Sequence, residues 1–139
     1  MWTTEHTVET PASADAVYAL YADVAGWPAW DESVDLAELD GPFAAGTTGR
    51  LRPAGLETLP FTLLWAEPGR GFTDETPFMG HLLRFVHLLE AAAGGGTRIT
   101  HRVEIDGPAA AEMGPNVASD LPEAMAALVA AAERVGTAA

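Results

Sequence analysis

The 139-residue sequence contains no cysteine and no lysine. Without cysteine the chain can form no disulfide, bind no metal through thiolates and use no cysteine nucleophile. All seven basic residues are arginines, and 20 acidic residues bring the formal net charge to −13. Because such a surface repels phosphate backbones and anionic lipids, we expect neither nucleic-acid binding nor docking on a membrane.

Long hydrophobic runs are also missing. The longest apolar stretches, such as Ala124–Ala132, are far too short to span a bilayer. The first residues have neither the basic flank nor the apolar run of a signal peptide. We therefore expect a cytoplasmic protein with no membrane insertion. The length and the 48% hydrophobic content are typical of one globular domain over residues 1–139.

The first 34 residues predict a strand followed by short helices. Residues Thr3–Thr10 alternate, with His6 and Val8 on one face, as in a half-buried strand. Ser13 then precedes apolar residues at helical spacing, so it is a candidate N-cap. Trp27 and Trp30 flank Pro28, and two large aromatic side chains beside a proline indicate a rigid corner that closes one end of a cavity.

The middle of the chain predicts strand after strand. The candidates are Val34–Leu39, Thr47–Arg52, Pro60–Glu67, Phe72–Thr76, His81–Ala91 and Thr97–Asp106. Glycine and proline punctuate the short connections between them, which favours hairpins and an antiparallel meander over parallel crossovers.

The C-terminal part predicts a long amphipathic helix. Its apolar stripe consists of Met113, Val117, Leu121, Met125, Leu128, Ala132 and Val135. Either this helix begins at Pro122, or one helix from about Pro115 is kinked there. Because the stripe keeps its phase through the proline, we expect the kinked helix.

Together these elements predict an α+β fold. A curved seven-stranded antiparallel sheet would wrap around the long C-terminal helix, with two short helices after the first strand. If the curl is wide, side chains do not fill the space and a pocket remains.

Three segments resemble those of a known family. The stretch ADAVYALYADVAGWPAW (Ala14–Trp30) resembles the N-terminal signature of polyketide cyclase/dehydrase-like proteins, in the START-like (SRPBCC, helix-grip) superfamily. Gly95–Val103 resembles the glycine turn and Thr-Arg strand before the last helix. The Leu121-Pro122 pair resembles the start of that helix. The resemblance implies a deep apolar cavity between sheet and helix, and a first strand paired with the last.

Two histidines stand out on the predicted sheet. The apolar faces of the last two strands contain His87 and His101, and a hairpin centred on Gly94 pairs these two residues. With the family's strand order, His6 on the first strand would extend the row.

Three interpretations of these histidines compete. They can be buried polar groups that satisfy one another, the backbone or water. Alternatively, His87 and His101 are a catalytic acid–base pair or orient a ligand, because burial keeps an imidazole neutral and basic. Thirdly, three histidines suit zinc, although neighbours on a flat sheet seldom converge tetrahedrally, and we expect no metal.

The other site candidates are mostly apolar. The predicted ligand-binding residues are Trp27, Trp30, Trp65, Phe85, Met113, Val117, Leu121 and Met125. Among polar residues, Asp31 and Glu32 follow the tryptophan corner, and Glu67 shares the predicted face of Phe61, Leu63 and Trp65. Arg50 and Arg52 share a strand face and could hold an anionic head group or pair with neighbouring acids.

These observations leave three hypotheses for the function. The first is binding of a small or medium hydrophobic ligand such as a polyketide, lipid or aromatic metabolite. The second is a cofactor-independent polyketide aromatase/cyclase or dehydratase that uses His87 and His101. The third is a stress-related or regulatory partner-binding protein. The sequence contains no phosphate-binding loop or other cofactor motif, and a monomer and a homodimer both remain open.

Overall fold

Seven strands and four α-helices make up the computed structural model, which describes residues 1–136. The strands are β1 (Trp2–Thr10), β2 (Val34–Leu39), β3 (Thr48–Pro53), β4 (Leu59–Glu67), β5 (Gly71–Phe78), β6 (His81–Ala91) and β7 (Thr97–Asp106). The helices are α1 (Ala14–Ala22), α2 (Trp27–Trp30), α3 (Ala110–Val117) and α4 (Leu121–Gly136), with a 3₁₀ turn at Val24–Gly26. Nowhere in this described part is a helix long and apolar enough to cross a membrane.

The strands form one curved antiparallel sheet in the order β1-β7-β6-β5-β4-β3-β2. Five neighbouring pairs are consecutive in sequence, as expected of a meander, and β1 closes on β7. The predicted fold class and the pairing of the first strand with the last are therefore confirmed. The bounds predicted for β2, β6 and β7 are also those of the structure.

Helices α1 and α4 cover part of the inner face of the sheet. The hydroxyl of Ser13 accepts a hydrogen bond from the N–H of Ala16 at 3.1 Å, which confirms Ser13 as the N-cap of α1. Val17 and Tyr21 of α1 are buried with Met125 and Leu128 of α4 in the main core cluster.

The prediction of one kinked C-terminal helix is wrong. Residues 118–120 form a turn between α3 and α4, and the N–H of Leu121 bonds to the carbonyl of Ala118 at 3.1 Å. Pro122 fits the first turn of a helix, where its missing N–H costs no hydrogen bond, so a new helix begins beside it. At the far end Val135 is 52% exposed and does not belong to the buried stripe.

The prediction that Trp65 and Glu67 share the face of Leu63 is also wrong. The register of β4 against β5 shifts between Leu63 and Trp65, as in a β-bulge. One extra residue reverses the alternation beyond it. Ala66 consequently packs against the core, and Glu67 is exposed.

Candidate functional site

A cavity of about 490 Å³ lies between the inner face of the sheet and the helices. Its lining is mostly apolar and includes six aromatic side chains, those of Tyr21, Trp27, Trp30, Phe72, Phe78 and Phe85. Leu56, Asn116 and Ser119 also line it and are exposed, so they mark the opening. The volume is within the range typical of small-molecule sites.

Five of the eight predicted ligand-binding residues line this cavity. They are Trp27, Trp30, Phe85, Val117 and Leu121. Met125 instead is fully buried in the core, and Met113 packs against the cluster of Leu83, Val103, Ile105 and Ala110. Trp65 is outside the lining because the bulge in β4 turns its side chain away from the core face.

The predicted pairing of the two histidines is confirmed. His87 on β6 lies opposite His101 on β7, and His101 lies opposite His6 on β1. The ring centroids of His87 and His101 are 4.5 Å apart, and both side chains line the cavity.

Tyr21 of α1 connects the helix layer to this row. Its hydroxyl oxygen lies 2.7 Å from Nε2 of His101, in a buried hydrogen bond. Burial raises the pKa of Tyr21. Burial also lowers the pKa of His101, and the neighbouring His87 and His6 lower it further. Both groups are therefore neutral at physiological pH. The helical spacing of Tyr21 with its apolar neighbours did not predict that its hydroxyl is a partner for His101.

His87 is held in one tautomer. Its ring stacks on Phe72 at 3.9 Å, and Nδ1 lies 3.2 Å from the carbonyl oxygen of Phe72. Since a carbonyl only accepts, Nδ1 carries the proton and Nε2 has the lone pair. Burial lowers the pKa of His87 to about 4, so the ring is neutral at pH 7 and Nε2 can act as an acceptor or a base.

Asp74 is the site residue that the sequence analysis missed. The side chain is 9% exposed, lines the cavity and lies with Oδ1 4.0 Å from Nδ1 of His87, beyond hydrogen-bonding distance. Oδ1 is buried with no hydrogen-bond partner among residues 1–136. Burial raises the pKa of Asp74 to about 7. The sequence does contain a signal for Asp74, because it alternates with Phe72, Thr76 and Phe78. This alternation places a carboxyl on the strand face that points inward.

The remaining polar candidates have local partners. Arg50 pairs with Asp40 at 3.0 Å, and Oδ1 of Asp31 accepts hydrogen bonds from the N–H and hydroxyl of Ser33. His81, which shares a strand face with His87, bonds to the carbonyl of Met79 and accepts from the N–H of Ala109. Over residues 1–136, no three His, Cys, Asp or Glu side chains are grouped as a metal site requires.

Comparison with known proteins identifies the family. Residues 1–133 match the family described as polyketide cyclase / dehydrase and lipid transport, so the chain belongs to this family. A comparison with curated protein sequences finds no match.

Solved structures share the same fold. The Zhui aromatase/cyclase from a Streptomyces species is 21% identical, with a TM-score of 0.77 over 96% of this chain and 94% of that one. Ara h 8.0201 is 17% identical, with a TM-score of 0.74 over 94% and 97%. The di-domain aromatase/cyclase StfQ of the steffimycin pathway is 12% identical, with a TM-score of 0.74 over 95% of this chain and 50% of that one. At these identities the likeness establishes the helix-grip fold alone.

Replacing Asp74 with asparagine should stabilise the protein in a pH-dependent way. The pKa of Asp74 rises from 3.8 to about 7 on folding, so the wild-type protein loses stability as pH rises through that window. We expect the advantage of Asp74→Asn in free energy of unfolding to be larger at pH 8 than at pH 4 by about 2–4 kcal/mol.

Urea unfolding at the two pH values measures this difference. His87 is present in both proteins, so the effect of its own titration largely cancels. Asp35→Asn, at an exposed position of β2, is the control and should show little pH dependence. If the difference in free energy of unfolding between Asp74→Asn and the wild type did not change with pH, the raised pKa of the buried Asp74 carboxyl would be contradicted.

Proposed function

We propose that the protein binds a small or medium apolar molecule, such as a polyketide, lipid or aromatic metabolite, in the cavity between sheet and helices. The observation that carries this proposal is the cavity of about 490 Å³ with its aromatic lining. Apolar walls with a few polar groups are typical of small-molecule sites, in which hydrophobic burial supplies affinity and the polar groups orient the ligand. Membership of a family described by cyclases, dehydrases and lipid transport supports the same class of ligand.

Four mostly buried polar side chains line the cavity, those of Tyr21, Asp74, His87 and His101. The polar residues Asn116 and Ser119 also line it and are exposed at the opening. A ligand would therefore enter with its apolar body among the aromatic rings and place one polar group against the cluster of buried side chains. This arrangement favours a ligand with a polar end over a pure hydrocarbon.

Protein purified under native conditions should retain a bound compound. We expect native mass spectrometry to show a mass increment of one small molecule, which disappears on denaturation and is recovered by extraction. Val117→Phe places extra volume in the cavity wall and should reduce occupancy several-fold, because the larger ring competes with the ligand.

Val135→Phe is the matched control, because it makes the same replacement at an exposed position near the end of α4. It should retain the compound like the wild type. Equal retention by Val117→Phe would argue against binding in this cavity. So would the absence of any retained compound together with no binding of the neutral probe N-phenyl-1-naphthylamine.

A second candidate function, polyketide cyclisation or dehydration, is favoured by one observation. The tautomer of His87 leaves the Nε2 lone pair available, and Asp74, a carboxyl that is about half protonated at pH 7, lies 4.0 Å from Nδ1 of the same ring. The site therefore combines a base and an acid in one apolar cavity, with His101 held next to the base by Tyr21.

The chemistry needs no cofactor. Nε2 of His87 would remove the acidic proton from a carbon between two carbonyls of a poly-β-ketone. The resulting carbanion would attack a second carbonyl carbon of the same chain, and the new alkoxide would take the proton of Asp74. Loss of water from the resulting alcohol completes an aromatising dehydration, and the proton on His87 returns to Asp74 or water.

Turnover of a neutral tetraketide thioester, followed by chromatography and mass spectrometry, tests this candidate. If the protein is a cyclase, His87→Ala should lower the rate about 100-fold or more, the usual contribution of a general base. Binding of N-phenyl-1-naphthylamine should remain. His81→Ala removes a histidine outside the cavity lining and should retain turnover per folded molecule. Equal rates for wild type and His87→Ala would exclude the cyclase function of this cluster.

A further inference from the structure

The charges around the cavity are all of one sign. Three carboxyl groups line it, those of Asp31, Asp74 and Asp120. All seven basic residues lie within residues 1–136, and none of them lines the cavity. The only imidazoles in the lining, His87 and His101, have pKa values lowered by burial and are neutral at physiological pH.

The alternation of side chains along the strands keeps the strand arginines outside the cavity. Arg84 and Arg102 lie on the outer face of the sheet, where both contact Glu104. Arg98 pairs with Glu9, and Arg50 pairs with Asp40. Moving an arginine of β6 or β7 into the cavity would require a one-residue shift of register, which would expose the whole apolar face.

One of the three carboxyl groups has a buried oxygen without a donor. Oδ1 of Asp74 is buried and accepts no hydrogen bond from residues 1–136, whereas Oδ1 of Asp31 accepts bonds from Ser33. Asp74 lines the cavity. Its cross-strand neighbours on either side are Leu63 and Phe85, which offer no donor. A buried acceptor without a donor is costly, and a ligand that brings a donor removes that cost.

We propose that the cavity selects ligands whose polar end is a hydrogen-bond donor without negative charge, a hydroxyl or an ammonium that donates to Oδ1 of Asp74, and rejects free carboxylates. This proposal rests on the binding function above and specifies the ligand's polar end. A carboxylate in the cavity would meet three acidic side chains, no cation and two neutral histidines, and all three acids are mostly ionised at pH 8. The desolvation of its charge would therefore have no compensation. Under this proposal polyketide and fatty acyl chains enter with a hydroxyl or an amine at the polar end and not as free acids.

Three ligands with one ring system test the proposal: 2-naphthylmethanol, 2-naphthylmethylammonium and 2-naphthoate. Their affinities are measured by isothermal titration calorimetry at pH 8, where Asp74 is mostly ionised. We expect the alcohol and the ammonium to bind one molecule per chain, and the carboxylate to bind at least tenfold more weakly than the alcohol. Asp74→Asn should weaken the ammonium and strengthen the carboxylate, so that their affinity ratio changes at least tenfold.

The exposed Asp35→Asn removes the same charge from the surface and should leave the ratio unchanged. Carboxylate binding within twofold of the alcohol, or the same change of ratio in Asp35→Asn as in Asp74→Asn, overturns the selectivity while the binding function stands. If none of the three ligands binds and no compound is retained on purification, the binding function itself fails, and the selectivity with it. The comparison of the three ligands on the wild-type protein uses no variant. It therefore tests the proposal even if Asp74→Asn does not fold.

Discussion

The buried hydrogen bond between Tyr21 and His101 determines how the helices meet the sheet. It joins α1 to β7 at 2.7 Å, in a region where both groups are shielded from water. An unpaired hydroxyl or imidazole at this depth would cost about 1–3 kcal/mol, so the bond restricts α1 to one position over the sheet. That position places the ring of Tyr21 within 5.4 Å of His87 and 4.9 Å of Phe72, and these three rings bound the buried end of the cavity.

The register of β6 and β7 is a second constraint, because it places neutral side chains on the inner face of the sheet and charged side chains on the outer face. The inner positions of the two strands contain His87, His101, Phe85 and Val103, whereas the outer positions contain Arg84 and Glu104. Arg84 is paired with Glu75, Glu104 and Asp106 on that outer face. The chain therefore places its cations where acids and water surround them. Among residues 1–136, the cavity lining contains neutral donors and acceptors and the carboxyls but no arginine, and the proposed charge selectivity rests on this contrast.

The residues show why some features could be predicted from sequence and others could not. The pairing of His87 with His101 follows from strict alternation on both strands and from a short glycine hairpin, which leaves one register that buries both apolar faces. The orientation of Trp65 could not be predicted, because a bulge is not visible in the alternation of β4. The break before Pro122 could not be predicted from periodicity, because the apolar stripe keeps its phase on both sides of the turn.

Asp74 shows a different limit of sequence reasoning. Acidic residues such as Asp74 in the segment FTDETPF are ordinary for a surface position, and the environment of Asp74 depends on Leu63 and Phe85 from two neighbouring strands. Only the three-dimensional arrangement shows that its Oδ1 has no donor. Function in this fold thus depends on a few polar positions within a scaffold that the family shares.

The central claim is that Asp74 receives a donor from a ligand seated in this cavity. A crystal structure of the protein with 2-naphthylmethanol tests it most directly. The account predicts the naphthyl ring among Trp27, Phe72 and Phe85, with the hydroxyl oxygen within 3.2 Å of Oδ1 of Asp74, a normal hydrogen-bond distance. A ring bound outside the cavity, or a hydroxyl turned towards the opening while Oδ1 remains without a partner, would contradict the account.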